Sequence, residues 1–273
     1  MTAPARTVLA AIGTGDAVAS VLDIALRVGE VTNAAVEAVH VADGRDERIV
    51  ALALRAGVPL RHLTGPAAGA LLGAMDVPGV LAMVIGAGLS SDGHPVGPTA
   101  RHVLERARKP VAVVPTNVAP SRALRRLLVP LEGSEASSRP ILEMLFPLLA
   151  TEVEVVVLHV FTDTTLPRML DRPERDLELL GREFLAHHCP PATRVELLPG
   201  PVAARVSEVS AAHGADMVVL SWSQDSSEGR AQVVREVLGA SALPVLLLPL
   251  APGRDAVSST GSAEPAGAAA PEE

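Results

Sequence analysis

Three glycines and a threonine stand where an apolar strand would run into a helix. Gly86 follows the apolar run VLAMVI, Gly88 and Gly97 lie in the segment that leads to Pro98, and Thr99 begins an amphipathic stretch of helical period. The first N–H groups of a helix have no intrahelical partner and lie at the positive end of the helix dipole, so they bind phosphate. Glycine lets the backbone approach an anion closely. This pattern indicates phosphate binding.

The same stretch also has an explanation that needs no ligand. Isolated glycines make tight turns, and the pair Gly97-Pro98 is a common way to begin a helix. Both interpretations stay open from the sequence.

A second stretch, LSWSQDSSEGRAQVV at 220–234, occupies the corresponding place later in the chain. It places Asp225 and Glu228 where phosphate oxygens would lie, and two carboxylates repel a triphosphate unless a cation intervenes. The segment DSSE is also a capping box. Arg230 offsets part of the negative charge. We expect a degenerate second site here.

The elements that carry these loops come from an internal repeat. His40 matches His159 at an offset of 119, and Gly65 matches Gly200 at an offset of 135, so the second copy has an insertion of 16 residues near TLPRMLDRPERDLELL. Both copies end alike, with KPVAVVP and LPVLLLP. The chain is therefore predicted to contain two similar domains.

Within each copy, short apolar runs alternate with stretches of helical period, which predicts βαβ units and a parallel sheet covered on both faces. Strands are predicted near 7–12, 36–41, 59–63, 80–86 and 111–115, and near 126–131, 153–160, 194–198, 216–221 and 245–249. Helices are predicted near 16–29, 46–56, 66–76 and 99–108, with a longer second helix in the insertion of the second copy. The domains are predicted at 1–117 and 123–250, with a linker at 118–122 and a disordered tail at 251–273.

Composition excludes several classes of function. A net charge of −8, spread over short segments, provides no surface for a nucleic-acid backbone. The apolar stretch 63–89 is interrupted by prolines, glycines and Asp76, so a membrane span is not expected. A start without the features of a signal peptide and a single cysteine, Cys189, favour a cytoplasmic location.

The motifs LLVPLEGSEASS and VHV/LHV, and the closing segments ARHVLERARKPVAVVPTN and VVREVLGASALPVLLLPL, resemble the universal stress protein family in a tandem form. The resemblance covers residues 6–250. It implies two doubly wound, Rossmann-like sheets of five parallel strands each, which pair through their last strands as a pseudo-dimer. A further homo-oligomer and a regulatory protein partner stay open.

Nucleotide-binding members of that family hold ATP in a loop of the form G-x2-G-x9-G-[ST]. This chain departs from the motif, because Leu89 stands at the second glycine, Gly97 comes two residues early, and Pro98 separates it from Thr99. The resemblance implies ATP, taken with Mg, as the ligand of the first copy. The first candidate site comprises Gly13, Val41, Gly86, Gly88, Gly97 and Thr99. In the second copy, Ser221 stands at the first glycine of the motif and Gln224 at the second. The degenerate second site comprises Glu132, Gly133, Ser134, Ser221, Gly229 and Arg230.

Other candidates for chemistry are weaker. His40 and His159 end matching strands, and a ring bonded to a backbone carbonyl is the expected role. The segment HHC at 187–189 lacks a second ligand pair for a metal, and no stretch pairs a nucleophile with a base. We expect no enzyme. The sequence thus predicts a regulatory protein that binds an adenine nucleotide, with a non-nucleotide-binding interaction module as the alternative.

Overall fold

The structure is a computed structural model. It describes residues 6–250 apart from residues 16, 43–45, 117, 119–122, 132–137, 140, 142, 145–151, 162–193 and 225–229. The predicted helix of the insertion, the HHC segment, the DSSE capping box, the tail and most of the linker lie outside the described residues.

Ten strands form one sheet. The strand order is β3-β2-β1-β4-β5-β10-β9-β6-β7-β8, so each half has the same internal order and all its neighbouring strands are parallel. The strands are β1 Thr7–Ala11, β2 Ala35–Val41, β3 Leu60–Leu63, β4 Val80–Gly86, β5 Val111–Val114, β6 Arg126–Pro130, β7 Glu154–Phe161, β8 Arg194–Pro199, β9 Met217–Trp222 and β10 Val245–Pro249. The predicted α/β fold is confirmed.

Within the described ranges, six helices can be bounded at both ends: α1 Val18–Thr32, α2 Glu47–Arg55, α3 Ala67–Met75, α4 Pro98–Arg106, α5 Val202–His213 and α6 Arg230–Ala240. Their apolar residues pack on both faces of the sheet. One buried cluster joins the sheet to α1 and α2, and the other joins it to α3, α4, α5 and α6. No helix in the described ranges is long and apolar enough to cross a membrane.

Helix α1 is longer than the prediction. It continues past Gly29 to Thr32 and ends at Asn33, which has φ 49° and donates its N–H to the Glu30 carbonyl at 3.2 Å. Gly29 does not end the helix. It allows close packing, since a Cβ there would lie 2.7 Å from Cγ2 of Val36.

The two halves join through their last strands, as predicted. Strands β5 and β10 pair antiparallel, with Val113 opposite Val245 and Ala112 opposite Leu246. All eight residues from Val111 to Val114 and from Val245 to Leu248 are buried. Each half therefore covers an edge that the other half would otherwise leave open, and the two predicted sheets form a single continuous one.

Candidate functional site

A cleft of about 600 Å³ lies in the first half, beyond the carboxyl ends of its strands. This is the edge at which parallel α/β sheets bind ligands. The six residues predicted for the first site all line it: Gly13, Val41, Gly86, Gly88, Gly97 and Thr99. The structure thus brings together residues from four separate segments of the sequence.

The inner wall of the cleft is apolar. Strand residues Ala11, Val39 and Ile85 face it from the sheet, and Leu71 of α3 faces it from the side. A planar apolar group of a ligand would find a complementary surface here, since small-molecule sites are mostly apolar with few polar groups.

Backbone hydrogen bonds fix both ends of the loop after β4. The N–H of Ala87 donates to the Val114 carbonyl at 2.8 Å, and the N–H of Gly97 donates to the Ala87 carbonyl at 2.7 Å. Residues 88–96 therefore form a loop whose two ends lie side by side.

Two glycines of that loop are required by its geometry. A Cβ at Gly97 would lie 2.7 Å from the carbonyl oxygen of Leu89, which is closer than real contacts allow. Gly88 has φ +70°, in the left-handed region that favours glycine. The explanation of these glycines as turn formers is therefore compatible with their position in the cleft wall.

Helix α4 begins at the cleft without a side-chain cap. Gly97 is the N-cap, Pro98 is the first helical residue, and the first helical bond runs from the N–H of Arg101 to the Gly97 carbonyl at 2.9 Å. The N–H groups of Thr99 and Ala100 precede that bond and have no acceptor within the helix. Since both residues line the cleft, their amides can bind an anion there.

No charged side chain lines the cleft among the described residues, and its polar side chains are Thr99 and Thr116. A nearby charged group is Asp92, in the loop after β4, which accepts from the Ser90 hydroxyl and, at 3.2 Å, from the His94 N–H. These hydrogen bonds, first that of Ser90, hold the pKa of Asp92 below its usual value. Arg101 lies 3.5 Å from Asp92 and 3.3 Å from Glu105, so it is engaged outside the cleft.

The strand-end histidines have the predicted structural role. Nδ1 of His40 lies 2.7 Å from the Ile12 carbonyl oxygen, and Nδ1 of His159 lies 2.8 Å from that of Leu131. Both rings are buried. Because side chains alternate along a strand, His40 points away from the face on which Val39 and Val41 line the cleft.

The second candidate site is described only in part. Ser221 lies in β9 and Arg230 begins α6. Glu132, Gly133, Ser134 and Gly229 lie outside the described residues, so the comparison of the two sites stays a prediction. Within the described ranges, no group of three or more His, Cys, Asp or Glu residues could hold a metal ion.

Sequence reasoning missed two contacts between the halves. Trp222 and Gln224 of the second half donate hydrogen bonds to carbonyl oxygens at the end of α4. The glutamine was noticed only as a departure from the loop motif, and nothing in the sequence connects it with a helix more than a hundred residues earlier. Leu71 and Thr116 of the cleft were also missed, because they lie outside the glycine-rich stretch.

Solved structures with this fold come from bacteria and archaea. A universal stress protein from Pseudomonas aeruginosa UCBPP-PA14 is 14% identical with a TM-score of 0.67, covering 90% of this chain and 94% of that one. A functionally unknown protein from Pseudomonas aeruginosa PAO1 is 14% identical with a TM-score of 0.65, covering 90% and 93%. A universal stress protein from Archaeoglobus fulgidus DSM 4304 is 13% identical with a TM-score of 0.61, covering 89% and 96%. At this identity the likeness shows a shared fold across both halves.

No curated protein matches the sequence. Residues 123–249, however, match the model of the universal stress protein family. They form the second half of a chain whose two halves have the same strand order. The second half of the chain therefore matches the universal stress protein family, and the first half shares its strand order.

Proposed function

We propose that the cleft in the first half binds an adenine nucleotide and that the protein is regulatory, not catalytic. The observation that carries the proposal is the meeting of an apolar wall and an uncapped helix start in one cleft of about 600 Å³. This volume is within the range of roughly 300–1,000 Å³ typical of ligand sites.

The two kinds of surface in the cleft suit the two parts of a nucleotide. The base would pack against Val39, Val41 and Leu71, which are apolar and partly or fully buried. The phosphate would accept from the amides of Thr99 and Ala100 and from the Thr99 hydroxyl, at the positive end of the α4 dipole. Gly97 supports this arrangement because a Cβ there would meet the Leu89 carbonyl oxygen, so glycine lets the loop close beside these amides.

The proposed ligand includes Mg as the counterion of the ATP phosphates. No carboxylate lines the cleft in the described part of the chain, so Mg would reach the site as the complex with ATP, held by the phosphates and water. The same lining contains no pair of nucleophile and base, which is why we propose binding and not hydrolysis.

The test is isothermal titration of Mg-ATP into the full-length protein, with Thr99→Asp and Thr99→Ser as a matched pair. We expect one site per chain. Aspartate in the first turn of a helix is favourable for the helix itself, so Thr99→Asp should leave the melting temperature unchanged or raised while abolishing binding by charge repulsion. Thr99→Ser keeps the hydroxyl and should bind nearly as the parent protein does.

Failure of the proposal has a clear signature. A folded parent protein that releases no binding heat with Mg-ATP, ADP or AMP would contradict it. So would a Thr99→Asp protein that binds as tightly as the Thr99→Ser protein. Either outcome would favour the interaction module as the function of this fold.

A further inference from the structure

The end of α4 that lies away from the cleft is held by two side chains of the second half. Nε1 of Trp222 donates to the Leu104 carbonyl oxygen at 3.0 Å. Nε2 of Gln224 lies 2.5 Å from the carbonyl oxygen of Ala107 and 3.4 Å from that of Leu104. The last carbonyls of a helix have no donor within the helix, so the second half supplies donors that α4 itself lacks.

The backbone of Gln224 is unusual for its residue type. Its φ is 61°, in the left-handed region that residues other than glycine seldom adopt. Such conformations persist where the surrounding structure holds them in place. Here the held side chain is the one that reaches α4.

The matching residue of the first half has a different environment. Gln224 corresponds to Leu89 at the repeat offset of 135, and Leu89 is 88% exposed at the cleft. The two copies of this loop have thus taken different roles: one borders a cleft, and the other contacts the helix that begins at that cleft.

The loop that leads into α4 also lies close to the second half. His94 and Trp222 border one small cavity of about 100 Å³ together with residues of α6. A Cβ at Gly239 of α6 would lie 3.7 Å from Cβ of Pro95. The second half therefore lies beside the loop that leads into α4 and is hydrogen-bonded to the end of α4.

We propose that Trp222 and Gln224 are positioning residues for the cleft of the other half, and that through them the second half responds to occupancy of the cleft. Helix α4 has nine residues and a rise of about 1.5 Å per residue, so it is a short rod with the cleft at one end and these side chains at the other. A shift of the rod moves the amides of Thr99 and Ala100. Coupling of this kind is reciprocal, so a ligand at one end changes the contacts at the other.

The positioning contacts are tested without any ligand. Gln224→Glu keeps the shape of the side chain but replaces the donor by a carboxylate beside two carbonyl oxygens. Gln224→Gly also removes the donor while accepting the left-handed backbone without strain. The matched control is Gln232→Glu, which makes the same chemical change on the exposed face of α6, where Gln232 bonds to Glu236 at 2.8 Å.

The first measurement is amide hydrogen exchange of the full-length proteins. We expect the amides of residues 101–107 to exchange at least about fivefold faster in both Gln224 variants. A fivefold change corresponds to a loss of roughly 1 kcal/mol in the free energy of local opening. The control should stay within about twofold of the parent at these amides. Unchanged exchange in both Gln224 variants would overturn the positioning role.

The second measurement uses Trp222 as a reporter, since the chain has one tryptophan and no tyrosine. This part rests on the proposed nucleotide function. Mg-ATP should shift the emission of the parent protein and of Gln232→Glu, and Gln224→Glu should bind Mg-ATP at least about fivefold more weakly. If Trp222 and Gln224 had a purely structural role, the Gln224 variants would be less stable, but Mg-ATP would not change the emission of the parent protein.

The two proposals fail in different ways. If calorimetry detects Mg-ATP binding but emission does not move and the Gln224 variants keep their affinity, the coupling is wrong and the nucleotide site stands. If the parent protein binds no nucleotide, the proposed function and the response to occupancy both fail, and the exchange experiment still decides whether Trp222 and Gln224 position α4.

Discussion

Nδ1 of His40 lies 2.7 Å from the carbonyl oxygen of Ile12, the residue that follows β1 and lines the cleft. A ring nitrogen facing a carbonyl oxygen carries the proton and donates, so the hydrogen bond assigns His40 the Nδ1–H tautomer. His159 makes the same bond to Leu131 in the second half, at 2.8 Å. In each half this bond ties β2 or its counterpart to the turn after the first strand.

We expect His40→Leu to weaken both stability and nucleotide binding, and His159→Leu to weaken stability alone. Each change leaves a carbonyl oxygen without its donor, at a cost of about 1–3 kcal/mol in the free energy of unfolding. Only Ile12 is at the proposed nucleotide cleft. Urea unfolding and calorimetry on both variants check this, and His40→Asn, which can place an amide N–H near the same oxygen, should recover part of the loss. Equal effects of the two leucine variants on affinity would contradict the assignment.

Gly97→Ala is expected to destabilise the protein by about 1–3 kcal/mol and to abolish nucleotide binding. The added Cβ would meet the Leu89 carbonyl oxygen at 2.7 Å, and neither backbone segment has a flexible end that could move away. Thermal unfolding gives the stability and calorimetry the affinity.

The control for Gly97→Ala is Gly73→Ala in α3. Gly73 is exposed, has no atom within 4 Å of an added Cβ and lies inside a helix. Alanine there should stabilise the protein by about 0.5–1 kcal/mol, because it loses less backbone freedom on folding. A Gly97→Ala protein as stable as the parent would show that the loop closes differently.

Acidification should loosen the loop that contains Asp92. The hydrogen bonds from Ser90 and His94 lower the pKa of this carboxyl in the folded protein, so its contribution is present above the pKa of the unfolded chain and is lost as the pH falls through the folded value. At pH 7 the amides of residues 88–96 should therefore exchange faster in Asp92→Asn than in the parent protein, after correction for intrinsic rates. The difference should shrink when the pH is low enough to protonate Asp92 in the folded parent protein. A difference that persists after protonation would assign the effect to another group.

Affinity should depend little on the number of phosphates. The cleft presents amides and hydroxyls but no cationic side chain among its described lining residues, so additional charges on the ligand gain little attraction. We expect AMP and Mg-ATP to bind within about tenfold of each other, a difference of roughly 1.4 kcal/mol. We also expect binding to vary only weakly with salt, because few charges are screened. Calorimetry at two ionic strengths measures both. A steep gain with each phosphate would require a cation outside the described lining.

Several features followed from the sequence because they depend on local patterns. Short apolar runs alternating with helical period predicted all ten strands to within one or two residues, and the repeat predicted that both halves have one strand order. The end of α1 was predicted too early at Gly29, since a glycine that permits packing against Val36 looks the same in sequence as one that ends a helix. Six residues that line the first cleft could be named from the sequence, because strand ends of a parallel sheet meet at one edge.

Tertiary structure decided the features that join distant residues. The sequence determined that Gly97 and Thr99 stand at a helix start, but the contact that makes Gly97 necessary, with Leu89, depends on how the loop closes. It determined that Gln224 departs from its motif, but only folding places its side chain beside Ala107. Local propensity acts over a few residues, whereas a capping contact between two halves depends on the sheet seam that Val113 and Val245 form at the centre of the molecule.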